Sequence, residues 1–419
     1  MALLDKLIID VEPLRTGREF RYLFVARVVS LLGLGFLIVA VPVQVYGVTG
    51  STAHVAAVST VLGITTFAAT FVGGVLADRF DRRTVIALAR GTAGIAFAVL
   101  AGNAFLPEPQ LWVIYAVAVV DGIAGGISAT ALMAVTPSLV PRDKLAAAGA
   151  LMALTADLGA MVGPALGGVV IAVGGVESAY LLAAGATAVT TFCITRLPPL
   201  PPTGAVDESP FESVVSGFGF AIRNRIVGGV LVAGFVAMLL SGWAVLIPAF
   251  ADEVLGAGPS VIGLLYTAPA VGAVLGSMTS GWTGSIRWSG RVVLVLMTVS
   301  AAGLVGAGAT GMLVVALIGL AAHGFGDSLS DIVRFATVQM HTPDEYRGRI
   351  AAVWSAQVTA GASVGALVAA AVAAVVPMSA ALAVYGLAGL VVTAVLAVVL
   401  KSLRTLDERE HSPLGEVAA

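Results

Sequence analysis

Charged residues are scarce in this chain. Only 11% of its 419 positions are Asp, Glu, Lys or Arg, where a soluble domain carries about 25%. With 58% of positions hydrophobic and a mean hydropathy of +1.01, this excludes an ordinary soluble globular domain. Cysteine is nearly absent. The one thiol, Cys193, lies in an apolar run, so no intrachain disulfide forms, and it reads as a small buried hydrophobe. No Cys/His cluster, HExxH, nucleophile elbow or Walker A sequence occurs, and no soluble domain is present to carry a signal. Those absences disfavour an enzyme, a receptor, a metal site or an ATP-driven machine; no cofactor is expected. The formal net charge of −2 predicts nothing about partners by itself, and no nucleic acid is expected. A cleavable signal peptide is also missing. Asp5, Lys6, Asp10 and Glu12 alternate with leucines, which suits a short amphipathic cytoplasmic helix.

What is present is long apolar runs. A bilayer core needs about 20 apolar residues per helix, and twelve segments qualify: 20–47, 53–77, 84–105, 111–137, 145–173, 177–197, 226–251, 260–284, 291–310, 312–340, 349–376 and 378–401. No strand alternation appears, so helices are predicted rather than a barrel. The fifty glycines fit this class, since small residues let membrane helices approach closely. Connections alternate in character. "GVTGST", "LPEPQ", "GAGPS" and "VVPMS" carry no Lys or Arg, and all 22 basic residues fall on the other side, in the termini, or in spans. The positive-inside rule then places both termini in the cytoplasm. The expectation is an all-α multi-pass protein of the bacterial inner membrane.

The stretch 196–225 is proline-rich and then amphipathic, and reads as a linker. The expected organisation is an N-terminal six-helix half with its amphipathic start (1–197), a cytoplasmic linker (198–225), a C-terminal six-helix half (226–402) and a tail (403–419). An offset of 206 residues superposes the halves: Pro42 on Pro248, Gly50 on Gly256, Asp121 on Asp327, Thr136-Pro137 on Thr342-Pro343 and Gly159 on Gly365. Two six-helix halves in parallel repeat are a transporter signature, with a site expected near the midplane.

The densest charge lies in "GGVLADRFDRRT", Gly73 to Thr84. Here the chain resembles the major facilitator superfamily, whose loop between spans two and three reads Gly-x-Leu-Ala-Asp-Arg-x-Gly-Arg-Arg. Gly74, Asp78, Arg79, Arg82 and Arg83 match; Asp81 stands where the superfamily prefers glycine. The resemblance implies a twelve-helix fold of two pseudo-symmetric halves and a cytoplasmic gate. In that gate Asp78 faces the start of span eleven, beside Arg347 and Arg349. The plainer alternative is that these arginines only set topology. The second-half counterpart, "SGWTGSIRWSGR", lacks the aspartate. Span five carries "GAMVGPALGG", in which Gly159, Gly163, Pro164, Gly167 and Gly168 fit the superfamily's antiporter motif. Four small residues allow tight contact and Pro164 is expected to bend the span; a packing face is the alternative.

An ionisable group at mid-span costs at least about 2.5 kcal/mol, so each is a functional candidate. A carboxylate in a low-dielectric cavity takes up a proton more readily than one in water, as proton coupling requires. Asp121 and Asp157 are the deepest acids of the first half. In span ten His323, Asp327, Asp331 and Arg334 share one helical face, with an Asp331–Arg334 ion pair as the bland alternative for Asp331. Arg27 and Arg90 are candidate charge partners or snorkelling residues. Gln44, Tyr266, Gln339, Trp354 and Gln357 are candidates to line a substrate cavity, or else to serve helix packing.

Within the superfamily, Ala26–Gln44, Val72–Ile95, Asn103–Tyr115, the Asp121-Gly122 pair and Thr342–Gly361 resemble the enterobactin (catecholate siderophore) exporters. That resemblance implies proton-driven efflux of a siderophore by a protein expected to be monomeric, its partners being the small-molecule cargo, protons and the bilayer. Relatives with the same motifs export macrolides and other drugs, which leaves a multidrug proton antiporter as the alternative.

Overall fold

The computed structural model describes residues 12–133, 135–141, 144–201 and 210–407. The start of the expected N-terminal amphipathic helix (1–11), linker residues 202–209 and the tail from 408 lie outside them. Among the described residues every regular element is helical. The spans are α1 Arg18–Thr49, α2 Thr52–Arg79, α3 Arg82–Ala104, α4 Leu111–Met133, α5 145–174, α6 176–195, α7 Arg225–Val254, α8 Pro259–Met278, α9 Ser289–Gly308, α10 Leu313–Met340, α11 Asp344–Val375 and α12 Met378–Val399. A linker helix, Pro210–Arg223, precedes α7.

α5 and α6 form one hydrogen-bonded run of 51 residues, Leu145–Thr195, broken at Gly175 with φ 76° and ψ 171°. At 1.5 Å per residue an unbroken run would be far longer than a bilayer core of about 30 Å. Gly175 supplies the turn because only glycine takes that conformation without strain. Backbone dihedrals stay helical through Pro164, so the departure from helix in this run lies at Gly175.

Three spans differ from the sequence expectation in ways that local residues explain. α4 ends at Met133, not 137, and gives way to a short helix Thr136–Leu139, because Pro137 suits a helix start and has no N–H to continue one. α8 ends at Met278, before a tight turn Ser280–Ser285 rich in Ser and Gly. α7 narrows at Ser241–Leu246 and widens at Phe250–Val254 on either side of Pro248, which cannot donate to the helical ladder. The repeat is visible in the backbone: Gly50 (φ 60°) and Gly256 (φ 57°), offset by the repeat length, are two of three glycines at positive φ among the described residues.

The chain forms two compact units. The first holds Met1–Gly50, Val61–Asp207 and Gly258–Thr267; the second holds Ser51–Thr60, Glu208–Ala257 and Ala268–Ala419. In the first, α1 packs most extensively on the 145–195 run, and α3 packs on that run and on α4. Lipid tails are as apolar as leucine, so close packing rather than the hydrophobic effect holds such helices together. The antiporter-motif glycines provide it. A Cβ on Gly163 would sit 2.9 Å from the Gly35 Cα, and one on Gly168 would sit 2.8 Å from the Gly263 Cα of α8. Cys193 is buried in an apolar cluster with Leu23, Ile86 and Ile194. In the second unit α9 packs on α10 and α12. There the Tyr385 hydroxyl donates to the carbonyls of Leu239 and Gly365, tying α12 to α7 and α11.

Candidate functional site

The loop between α2 and α3 is held by Asp81. Its carboxylate caps α3, accepting from Thr84 N at 3.2 Å, and also accepts from Leu200 N at 3.1 Å, just past α6. Arg82, buried, donates through Nε to Ala77 O at 3.3 Å and through its backbone N–H to Leu200 O at 3.1 Å. Asp78 and Arg83 are half-buried and Arg79 is exposed. The close approach of α2 to α4 falls on Gly73, beside the motif's Gly74: a Cβ there would meet Ile127 Cα at 2.7 Å. The second unit repeats the fastening with different chemistry. Arg287, offset from Asp81 by the repeat length, pairs with Asp407 beyond α12 at 2.8 Å. Arg287 and Arg291 both lie over the Trp288 ring, at 4.9 and 4.3 Å. Arg347 pairs with Asp344 at 2.8 Å, and Arg349 donates to Ser216 of the linker helix at 3.1 Å. Phe220 of that helix stacks on Tyr346 with centroids 4.5 Å apart.

The first unit contains a cavity of about 180 Å³ lined by α1, α3, α4 and α6. Arg27 and Ser30 of α1, Arg90 of α3 and Asp121 of α4 line it, between walls that include Leu31, Leu34 and Phe97. Arg90 feels the charges of both Asp121 and Arg27. Its Nε is buried with no hydrogen-bond partner among the described residues. The α6 hydroxyls facing the cavity are already committed: Thr187 donates to Ala183 O at 2.8 Å and Thr190 to Ala26 O at 3.2 Å. Sequence reasoning named Arg27, Arg90 and Asp121 separately; the fold brings them together. Ser30 was missed, since one serine in an apolar helix carries no signal. Of Asp157, only the backbone, within α5, is described; its side chain lies outside the described set.

α10 carries Asp327 and Asp331 on the face it shares with His323 and Arg334. Arg334 is fully buried, with Nη2 3.3 Å from Asp331 Oδ1, and Nε donating to Ser330 O at 3.3 Å and Ser330 Oγ at 3.2 Å. The Asp331 side chain is 46% exposed. The Arg334 guanidinium lies 5.8 Å from the Trp354 ring centre, and its Nη1 abuts Gly234 beside Gln357 Nε2. The ion-pair alternative for Asp331 is therefore the observed arrangement. One turn away Asp327 is half-buried. His323 is buried with Nδ1 2.8 Å from Ser300 Oγ and its ring edge-on to Trp243. Gln339 and Trp354 flank a small cleft with Arg347. In the first unit, Gln44 accepts from Tyr180 at 2.7 Å, a buried α1–α6 bond, and Tyr266 is buried in α8.

The spans have the major facilitator fold, and the family match and named exporters that the chain resembles over nearly its whole length make it a transporter rather than an enzyme. The sequence profile of the transmembrane secretion effector family matches residues 10–418, and the chain belongs to that family. It is 37% identical over 411 residues to the enterobactin exporter EntS of Citrobacter koseri, covering 97% of this chain and 98% of that one. It is 38% identical over 400 residues to EntS of Shigella boydii, covering 95% of each. Among solved structures, the nucleoside transporter NupG superposes on 92% of this chain and 100% of its own with a TM-score of 0.76 at 12% identity. A bacterial homologue of the lysosomal transporter Spinster gives 0.69 at 14%, over 92% and 95%.

Proposed function

We propose that this transporter exports a catecholate siderophore of the enterobactin type from the cytoplasm, driven by inward movement of protons. The observation that carries the proposal is identity at 37–38% with enterobactin exporters across nearly the whole length of both chains. Relatedness of that extent includes the cavity-bearing spans, not only the shared gate loop.

In this reading the protein is a monomer in the inner membrane, with both termini cytoplasmic and no cofactor. Halves 1–197 and 226–402, joined by the linker 198–225, alternate access to the cargo. Asp121 and its repeat counterpart Asp327 carry protons. Asp78, Arg79 and Arg83 close the cytoplasmic gate, and the span-five glycines let α5 move as a rigid body. Gln44, Tyr266, Gln339, Trp354 and Gln357 serve cargo or packing. One proton crossing a 100 mV potential supplies about 2.3 kcal/mol before any pH gradient is added.

The test is uptake into inverted membrane vesicles under an imposed pH gradient, with catecholate siderophores and macrolides as the panel. Saturable, gradient-dependent uptake of siderophores supports the proposal. Uptake of macrolides alone replaces it with a multidrug antiporter.

A further inference from the structure

The cavity of the first unit is too small for a whole siderophore and well shaped for one part of it. An apolar cavity of about 150 Å³ holds one benzene ring, and this one measures about 180 Å³. Its walls are largely leucine, with Phe97 on α3, and its polar groups are two guanidiniums, one carboxylate and three hydroxyls, of which those of Thr187 and Thr190 are already bonded to backbone carbonyls. Guanidiniums stack on aromatic faces and donate to ring oxygens. Ionised carboxylates only accept hydrogen bonds, and bonds to them are about twice as strong as neutral ones. Among the described residues, Asp121 accepts no hydrogen bond from the protein, and the buried Arg90 Nε donates none. A buried donor left unpaired costs about 1–3 kcal/mol, so the Arg90 Nε at this cavity is a hydrogen-bond donor that a ligand oxygen would satisfy.

We propose that this cavity takes one hydroxylated aromatic ring of the cargo, its O–H groups donating to Asp121 and its oxygens or face meeting Arg90 and Arg27, so that ring and proton compete for one carboxylate. The inference rests on the export reading and adds where and how one arm of the cargo is held. Competition is what antiport requires: a protonated Asp121 keeps only the weaker acceptor capacity of a neutral acid and loses the charge that strengthens bonds from the ring's hydroxyls, so proton and ring bind at each other's expense. The charged groups around Asp121 are few. Arg90 on α3 and Arg27 on α1 face it; α6 offers only Thr187 and Thr190; α2, packed on the far side of α4 at Gly122 and Gly126, offers Thr65, Thr66 and Thr70. The second unit has no matching pair of arginines: the positions offset from Arg27 and Arg90 are Ala233 and Leu296. One ring site per chain follows.

The probe is 2,3-dihydroxybenzamide, a single neutral catechol ring, titrated calorimetrically into the purified full-length protein between pH 5.5 and 7.5. The expected result is one site per chain, with binding weakening by up to about tenfold per pH unit wherever Asp121 is protonated. Asp121→Asn, isosteric and neutral, weakens binding at least tenfold and removes the pH dependence. Ser30→Phe, which places a ring of the protein's own in the cavity, abolishes binding while the protein stays monodisperse. Glu108→Gln, an exposed carboxylate on a connecting turn, binds like wild type. Unchanged affinity and pH slope in Asp121→Asn overturn the proposal, as does tighter binding at lower pH, which would mean that the ring binds better once Asp121 is neutral. If vesicles accumulate the whole siderophore but the protein does not bind the single ring, this inference fails and export stands. If vesicles accumulate no siderophore, the export reading itself fails.

Discussion

The Asp81 carboxylate accepts the backbone N–H of Leu200, 119 residues further along the chain, at 3.1 Å. The residue that departs from the superfamily's loop pattern is thus the one that fastens that loop to the start of the linker. Its repeat counterpart Arg287 does the same for the C-terminal segment through Asp407. Neither contact is visible in the motif itself. Both follow from the repeat, which places a side chain at this loop beside the chain leaving the sixth helix of each half.

Replacing Asp81 by alanine removes a helix cap and the bond to Leu200. Loss of a cap costs about 1 kcal/mol, and the Leu200 bond adds about as much. Chemical unfolding in detergent should therefore show Asp81→Ala less stable by about 2 kcal/mol. Asp407→Ala should also destabilise, by about 1–2 kcal/mol, because the buried carboxylate accepts from both Nε and Nη2 of Arg287.

Gly163 of span five and Gly185 of span six differ in what surrounds them, and substitutions should separate accordingly. Gly163 faces the Gly35 backbone, so Gly163→Leu forces α1 and α5 apart. Overpacking of this kind costs about 1–3 kcal/mol or more, and fluorescence-detected gel filtration should show lost or aggregated protein. A Cβ on Gly185 in α6 meets nothing within 4 Å. Gly185→Ala should be neutral or stabilise by up to about 1 kcal/mol through helix propensity.

Arg334 and Asp331 should behave as a structural pair. Guanidinium cannot shed its proton in a protein, so neutralising Asp331 leaves a fully buried cation without its counter-charge. Removing one member of a buried pair costs about 3–5 kcal/mol, whereas replacing both is often neutral. Because the Asp331 side chain is 46% exposed, the lower end applies, and Asp331→Asn should lower the melting temperature in detergent. Arg334→Met in the same chain should restore it. Failure of the second change to rescue the first would show that Asp331 acts independently of the arginine.

The span count, the repeat and the two motif loops were legible in the sequence because each leaves a local mark: apolar length, a fixed offset, or charge in an apolar chain. Span ends were less legible. Pro137 and Pro248 announced a break but not whether the helix would stop, narrow or widen, since that depends on what packs beside it. The cavity was half legible. Arg27, Arg90 and Asp121 stood out one by one as intramembrane charges, but their common wall is set by how α1, α3 and α4 rotate about their axes. Asp331 shows the same limit. Spacing put it on a face with Arg334, and only the packing around Gly234 and Trp354 revealed that the arginine is fully buried and fixes the acid as its partner.

The most direct test of proton-driven siderophore export is the luminal pH of proteoliposomes, recorded with a trapped dye while siderophore is added outside. The account predicts that siderophore entering the lumen drives protons out, so luminal pH rises with wild-type protein. It predicts that the rise is lost in the double variant Asp121→Asn, Asp327→Asn. Siderophore accumulation with a flat luminal pH in wild type, or an undiminished rise in the double variant, would contradict it.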